Sequence, residues 1–158
     1  MVSNFFIDLD NARGAEYLVK EELEKRAPEL TFENVGDQRE YFYKGDIKAT
    51  AADGTEIFIE VKDDSRIADT HNVLCEYKVY YAGSRRFGRG NMDSECDYLA
   101  IRSKSENLIY IIDFNKLKTF YKKGLHKIIY HSEQDTYCYL VKLDFIKEMG
   151  AFIAALSY

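Results

Sequence analysis

Two short apolar segments meeting at an Asp-Gly turn constrain this chain more than any other feature. Gly45-Asp46-Ile47-Lys48-Ala49-Thr50 and Thr55-Glu56-Ile57-Phe58-Ile59-Glu60-Val61-Lys62 are too short for helices, are dense in Ile, Phe and Val, and flank a turn at Ala51 to Gly54. That pattern predicts a β-hairpin. With Ala52-Asp53-Gly54 as a three-residue loop and Gly54 in the left-handed conformation, the turn itself sets the register. Asp46 then lies opposite Glu60, while Ile57, Ile59 and Val61 occupy the other side of their strand.

Directly opposed side chains stand roughly 5 Å apart at Cβ, close enough for two carboxylates to share one divalent cation. Without such an ion the two charges repel. Lys62 follows Glu60 by two residues, so the strand period places its ammonium on the same side as both acids. Two acids and a lysine on one sheet face make a site for a hard ion, which takes oxygen ligands and keeps several waters. An ion so held polarises phosphates and activates water.

These residues resemble the signature of the PD-(D/E)XK nuclease superfamily, whose members are restriction-endonuclease-like or Holliday-resolvase-like. In that family an Asp on one strand and a Glu-X-Lys on the next follow an N-terminal helix that often carries a further Glu. Asp46 matches the Asp, Glu60-Val61-Lys62 matches Glu-X-Lys, and Glu16 in Arg13-Gly14-Ala15-Glu16 is the candidate for the helical acid. Gly45 stands where the family name has proline. The resemblance spans residues 10 to 112. It implies an α/β sandwich around a central mixed sheet flanked by helices, and an Mg²⁺-dependent endodeoxyribonuclease in which Mn²⁺ can substitute. Asp46, Glu60 and the Val61 carbonyl would hold the ion, Lys62 would orient the attacking water, and Glu16 would complete the shell or hold a second ion. A catalytically silent nucleic-acid or protein-binding module on the same fold is the alternative.

The rest of the sequence bounds these expectations. A chain of 158 residues is the length of one domain, with 46% hydrophobic and 31% charged residues. No apolar run is long enough to span a bilayer and the N-terminus lacks a signal-peptide pattern, so a cytoplasmic location is expected. Cys75, Cys96 and Cys138 are odd in number and lack metal-ligand spacing, and are read as reduced and buried. The formal charge of −5 argues against a protein that coats DNA electrostatically. It leaves room for a local basic surface.

Two segments supply that surface. Gly83-Ser84-Arg85-Arg86-Phe87-Gly88-Arg89-Gly90 places three arginines among glycines around one aromatic, a cationic loop suited to a phosphate backbone and a base. Ser65, Arg66 and Thr70 come after the hairpin and are candidates for a phosphate next to the ion. His71 is a further candidate, as a general base, since imidazole titrates near neutrality.

Helical spacing of Ala12, Ala15, Val19, Leu23 and Ala27, with Leu18 beside them, predicts a helix from Asp10 or Asn11 to Arg26, ended by Pro28 and preceded by an ordered lead-in over residues 1–10. Strands are expected at 30–35, 96–102 and 108–112, with a hairpin spanning 126–131 and 136–143 around Glu133-Gln134-Asp135. Tyr41-Phe42-Tyr43 is read as leading into the first hairpin strand. Helices are expected at 73–81, at 113–122 opened by Asp113, and at 145–156 capped by Asp144. The last of these would cover the sheet or form a homodimer surface.

Overall fold

The computed structural model describes residues 3–81, 86–131 and 136–158, and the backbone alone of 3–10, 80–81, 86–89, 91 and 131. The chain runs α1 (Ser3–Arg26), β1 (Thr31–Asn34), β2 (Ile47–Thr50), β3 (Glu56–Asp63), α2 (Ile67–Thr70), β4 (Asn72–Tyr81) and β5 (Arg86–Arg89). It continues through β6 (Tyr98–Ser103), β7 (Leu108–Asp113), α3 (Phe114–Lys122), β8 (Lys127–His131), β9 (Thr136–Lys142), α4 (Leu143–Glu148) and β10 (Phe152–Ser157).

Six strands form one sheet in the order β1-β2-β3-β6-β7-β10, and four form a second in the order β5-β4-β9-β8. In the larger sheet β3 and β6 are parallel and the other neighbours antiparallel, so the sheet is mixed, as expected. Its two faces are both covered, which makes the fold a layered α/β sandwich. On one face α1 packs Val19 against Phe32, Ile47, Ala49 and Ile59, with Leu18, Leu23 and Ala27 partly buried beside them. Of the anticipated stripe Ala12 alone stays exposed. On the other face Phe58, Leu99, Ile101, Tyr110 and Ile112 meet Phe114, Leu117, Phe120 and Tyr121 of α3 and Val73, Cys75 and Val141 of the second sheet.

The hairpin has the register its turn dictates. Ile47 pairs with Ile59 and Thr50 with Glu56. Gly54 has φ of +84°, and Ala51 N–H donates to the Thr55 carbonyl at 2.9 Å to close the three-residue loop. Asp113 caps α3 by accepting from Lys116 N–H at 2.9 Å. All three cysteines are free and buried.

Four elements differ from expectation. The first helix begins at Ser3, so the anticipated lead-in is itself helical. Tyr41 closes a single 3-10 turn, Arg39–Tyr41, and strand structure begins only at Ile47. Residues 73–81 form β4 rather than a helix: Val73 and Cys75 are fully buried on one side, and a bulge between Glu76 and Lys78 breaks the alternation that would have betrayed the strand. At the C-terminus α4 stops at Glu148, Gly150 adopts φ of +68°, and residues 152–157 become an edge strand on β7. A left-handed glycine ends a helix without strain, and the remaining apolar residues gain more from the sheet than from another turn. No described helix is long and apolar enough to cross a membrane.

Candidate active site

Asp46 sits one residue before β2, and its N–H donates at 2.9 Å to the carbonyl of Ile59, the partner of Ile47, so the regular ladder ends here instead of continuing to the expected Asp46–Glu60 pair. Its carboxylate turns back onto β3 and accepts from Val61 N–H at 2.8 Å through Oδ2. Oδ1 lies against Gly36, where a Cβ would come within 3.0 Å. The side chain is thus fixed from two directions. Val35 N–H and Gly36 N–H both donate to the Asp46 carbonyl, at 2.8 and 3.2 Å, which ties the segment after β1 to the same corner.

Gly45 explains the missing proline. Its φ of +136° is closed to a ring that holds φ near −65°. A Cβ there would fall 2.8 Å from the Ile59 carbonyl oxygen. Only glycine lets the two backbones approach this closely.

Glu60 is partly buried on the face shared with Phe58 and Leu99. Burial first, and then the Asp46 charge, push its carboxyl up to about 8, against the opposing pull of Lys62 and Ser94. Asp46 is also raised, chiefly by burial, with the Val61 hydrogen bond opposing. Burial holds both acids toward their neutral forms, Glu60 further through the Asp46 charge, and groups so perturbed cluster at functional sites.

Lys62 emerges from the same strand face and donates to the Leu74 carbonyl of β4 at 3.5 Å. Its charge is felt at Glu60, Cys75 and Cys138, so the second sheet closes over this side of the site. Glu76 of β4 adds a further negative charge near Glu60.

Glu16 approaches Asp46 from α1. Its carboxyl is raised to about 7 by burial first, then by Asp46 and Asp37, with Arg13 opposing. It lines a cavity of about 160 Å³ with Arg13, Tyr17, Asn34, Gly36 and Asp37. Arg13 closes the rim through a 3.2 Å ion pair with Asp37. Inside the cavity wall the Oδ1 of Asn34 is buried with no hydrogen-bond partner among the described residues. A larger depression, lined by Asp97, Asp113, Lys116 and Thr119, lies at the start of β6, and Asp97 and Asp113 are engaged there in structural hydrogen bonds.

Asp46 is the common neighbour: its charge is felt at Glu16 and at Glu60, and Glu60 also feels Lys62. Among the described residues no three His, Cys, Asp or Glu side chains group closely enough to hold a metal by themselves. The donor set is two carboxylates and backbone or amide oxygen, a set that suits a hard ion retaining several waters.

Three contributors escaped the sequence reading. Ser94, almost fully buried, donates from Oγ to Glu60 Oε2 at 3.5 Å, and its carbonyl is gripped by the Lys118 ammonium. Gly36 and Asn34 reach the site because β1 and the turn after it fold onto Asp46, a tertiary contact that no local pattern encodes.

The remaining candidates stand apart. Arg66 is exposed in the turn before α2, its N–H donating to Asp64 Oδ1 at 2.8 Å. The Thr70 hydroxyl donates to the Arg66 carbonyl at 2.9 Å, so it braces the turn. His71 is exposed at the C-terminus of α2 with φ of +50°, and its carbonyl accepts from Leu143 N–H at 2.8 Å. No described interaction joins Arg66 or His71 to Asp46 or Glu60. Arg85 lies outside the described residues, as do the side chains of Arg86 and Arg89 and the turn at 133–135.

No family model matches this sequence, and no curated protein matches it. Among solved structures, a nuclease from a fusselovirus is similar with a TM-score of 0.47 and 7% identity over 92% of this chain and 87% of that one. A likeness that distant leaves the chemistry of this chain to be read from its own side chains.

Proposed function

We propose that this protein is a divalent-metal-dependent nuclease, an endonuclease that hydrolyses phosphodiester bonds in DNA. The observation that carries the reading is Asp46, anchored by its carboxylate on Val61 N–H, with its charge felt at Glu60 one residue before and Lys62 one residue after on the same strand. Two ionised carboxylates are costly to hold together away from water, and a bound cation removes that cost.

Asp46, Glu60 and the Val61 carbonyl would hold Mg²⁺ or Mn²⁺. When bound, the ion supplies positive charge that polarises a phosphate and acidifies a water. The protein does the rest. Lys62 orients the attacking water and donates to the non-bridging oxygens as negative charge grows on them. The water oxygen bonds to phosphorus, the ester P–O bond breaks, and a proton passes to the leaving oxygen. Glu16, with its carboxyl raised to about 7, is suited to accept the proton that the water gives up. Arg66, Arg85, Arg86 and Arg89 would position the backbone without reading sequence.

Asp46→Ala and Lys62→Ala test the roles directly. Both should abolish nicking of supercoiled DNA in Mg²⁺ while circular dichroism stays that of the folded protein. Nicking at the wild-type rate by either variant would refute the assignment.

A further inference from the structure

Charge is unevenly divided along this acidic chain. Residues 72–90 and 114–142, which contain the second sheet and α3, hold ten lysines and arginines against three acids; the remaining residues hold twelve against twenty-four. Four of these cations lie on or just after α3, and the second sheet itself carries Lys78, Arg86, Arg89, Lys127 and Lys142 beside its aromatic residues.

Register brings the two together. Lys78 pairs with Tyr137, Tyr137 with Tyr130, and Lys78 with Arg89 of β5, so one lateral row crosses all four strands. Partners directly opposed in a ladder share a face. The Tyr137 and Tyr130 rings lie 5.0 Å apart, and the Lys78 ammonium stands 5.9 Å from the Tyr137 ring centre. In the next row Tyr139 is sandwiched between Tyr77 at 4.3 Å and Tyr121 at 4.6 Å, both nearly parallel to it. The inner end of this column is core. Its outer end is open: Tyr130 is 50% exposed and Ile128, the partner of Tyr139, 53%.

The same strand reaches the candidate active site. Leu74, whose carbonyl receives Lys62, lies three residues from Tyr77 on β4, about 10 Å at roughly 3.3 Å per residue. That is the rise of about three stacked bases.

We propose that the exposed edge of this face, at Tyr130 beside Tyr137, is a stacking platform for unpaired bases, so that the substrate is a nucleic acid presenting a single-stranded segment to the hairpin site. As a statement about the substrate it rests on the nuclease reading; as a statement about binding it stands alone. A paired base has both faces occupied by its neighbours, whereas an unpaired one offers its ring to tyrosine while lysines and arginines take the phosphates. Base stacking tolerates every base, which fits a row of tyrosine rings with a lysine beside it.

The test is fluorescence anisotropy with a labelled single-stranded oligonucleotide and a duplex of the same length, in EDTA so that nothing is cleaved. Wild type should prefer the single strand. Tyr130→Ala, checked for folding by circular dichroism, should weaken single-strand binding roughly 5- to 150-fold. Tyr130→Phe should retain it, and duplex binding should change less than about twofold in either variant. Equal loss on both substrates, no loss, loss in Tyr130→Phe equal to that in Tyr130→Ala, or a wild-type preference for duplex would each overturn the proposal. Adding Mg²⁺ then separates the two readings: single-strand binding without any cleavage keeps the platform and refutes the nuclease.

Discussion

Glu60→Gln separates what the acidic pair costs the fold from what it does for function. Without a divalent ion Glu60 keeps its proton to about 8 instead of the ordinary 4.5, because burial and the Asp46 carboxylate both oppose its charge. Between those two values the folded protein binds more protons than the unfolded chain, so stability falls as pH rises across that interval. The contribution is fully present below about 4.5 and gone above about 8. At 1.4 kcal/mol per tenfold, ionising Glu60 in the fold costs on the order of 3–5 kcal/mol by pH 9. A glutamine side chain in its place keeps the shape and carries no charge to penalise. In urea with EDTA, the wild-type midpoint should fall by about 1.5–2.5 M between pH 5 and pH 9 if m is near 2 kcal/mol/M. The variant should decline less, the remainder of the effect coming from Glu16, whose carboxyl is raised to about 7. Identical pH dependence in the two proteins, or a variant less stable than wild type at pH 9, would refute the electrostatic account of the site.

Two further substitutions probe the scaffold around the pair. Gly45→Ala places a Cβ 2.8 Å from the Ile59 carbonyl at a φ of +136°, and should lower stability by about 2–4 kcal/mol, measured as a fall in Tm. A neutral result would mean the corner is not held as tightly as described. Ser94→Ala removes a hydrogen bond that lowers the Glu60 pKa, so the acid limb of the cleavage pH profile should move to higher pH with folding retained. An unmoved limb would take Ser94 out of the site.

The hairpin was legible because its determinants are local. Asp53-Gly54 fixes a three-residue loop and the loop fixes the register as far as Ile47 and Ile59; beyond it Asp46 is held by its bonds to the Ile59 carbonyl and Val61 N–H, which the turn does not encode. Asp113 was readable as a cap for the same reason. The second sheet was not. In Val73-Leu74-Cys75 apolar residues run on without alternating, and the bulge at Glu76 to Lys78 removes the remaining period of two. Residues 152–156 read as helix because their alanines suit one, but Gly150 ends α4 and the free edge of β7 recruits the chain from Phe152 onward. At the site, Glu16 was accessible through helical spacing and motif order, whereas Asn34, Gly36 and Ser94 arrive by tertiary folding. Arg66 and His71 were readable by residue type only, and the described contacts beside them hold the turn around α2.

Calorimetric titration with Mn²⁺ at pH 7, in two buffers of different ionisation enthalpy, tests the central claim most directly. A carboxyl raised to about 8 is protonated there, so an ion that seats between Asp46 and Glu60 must displace a proton. The wild-type protein should bind Mn²⁺ saturably with release of close to one proton, and Asp46→Asn should lose that binding while staying folded. Absence of saturable binding, or equal binding and proton release by the variant, would contradict the account.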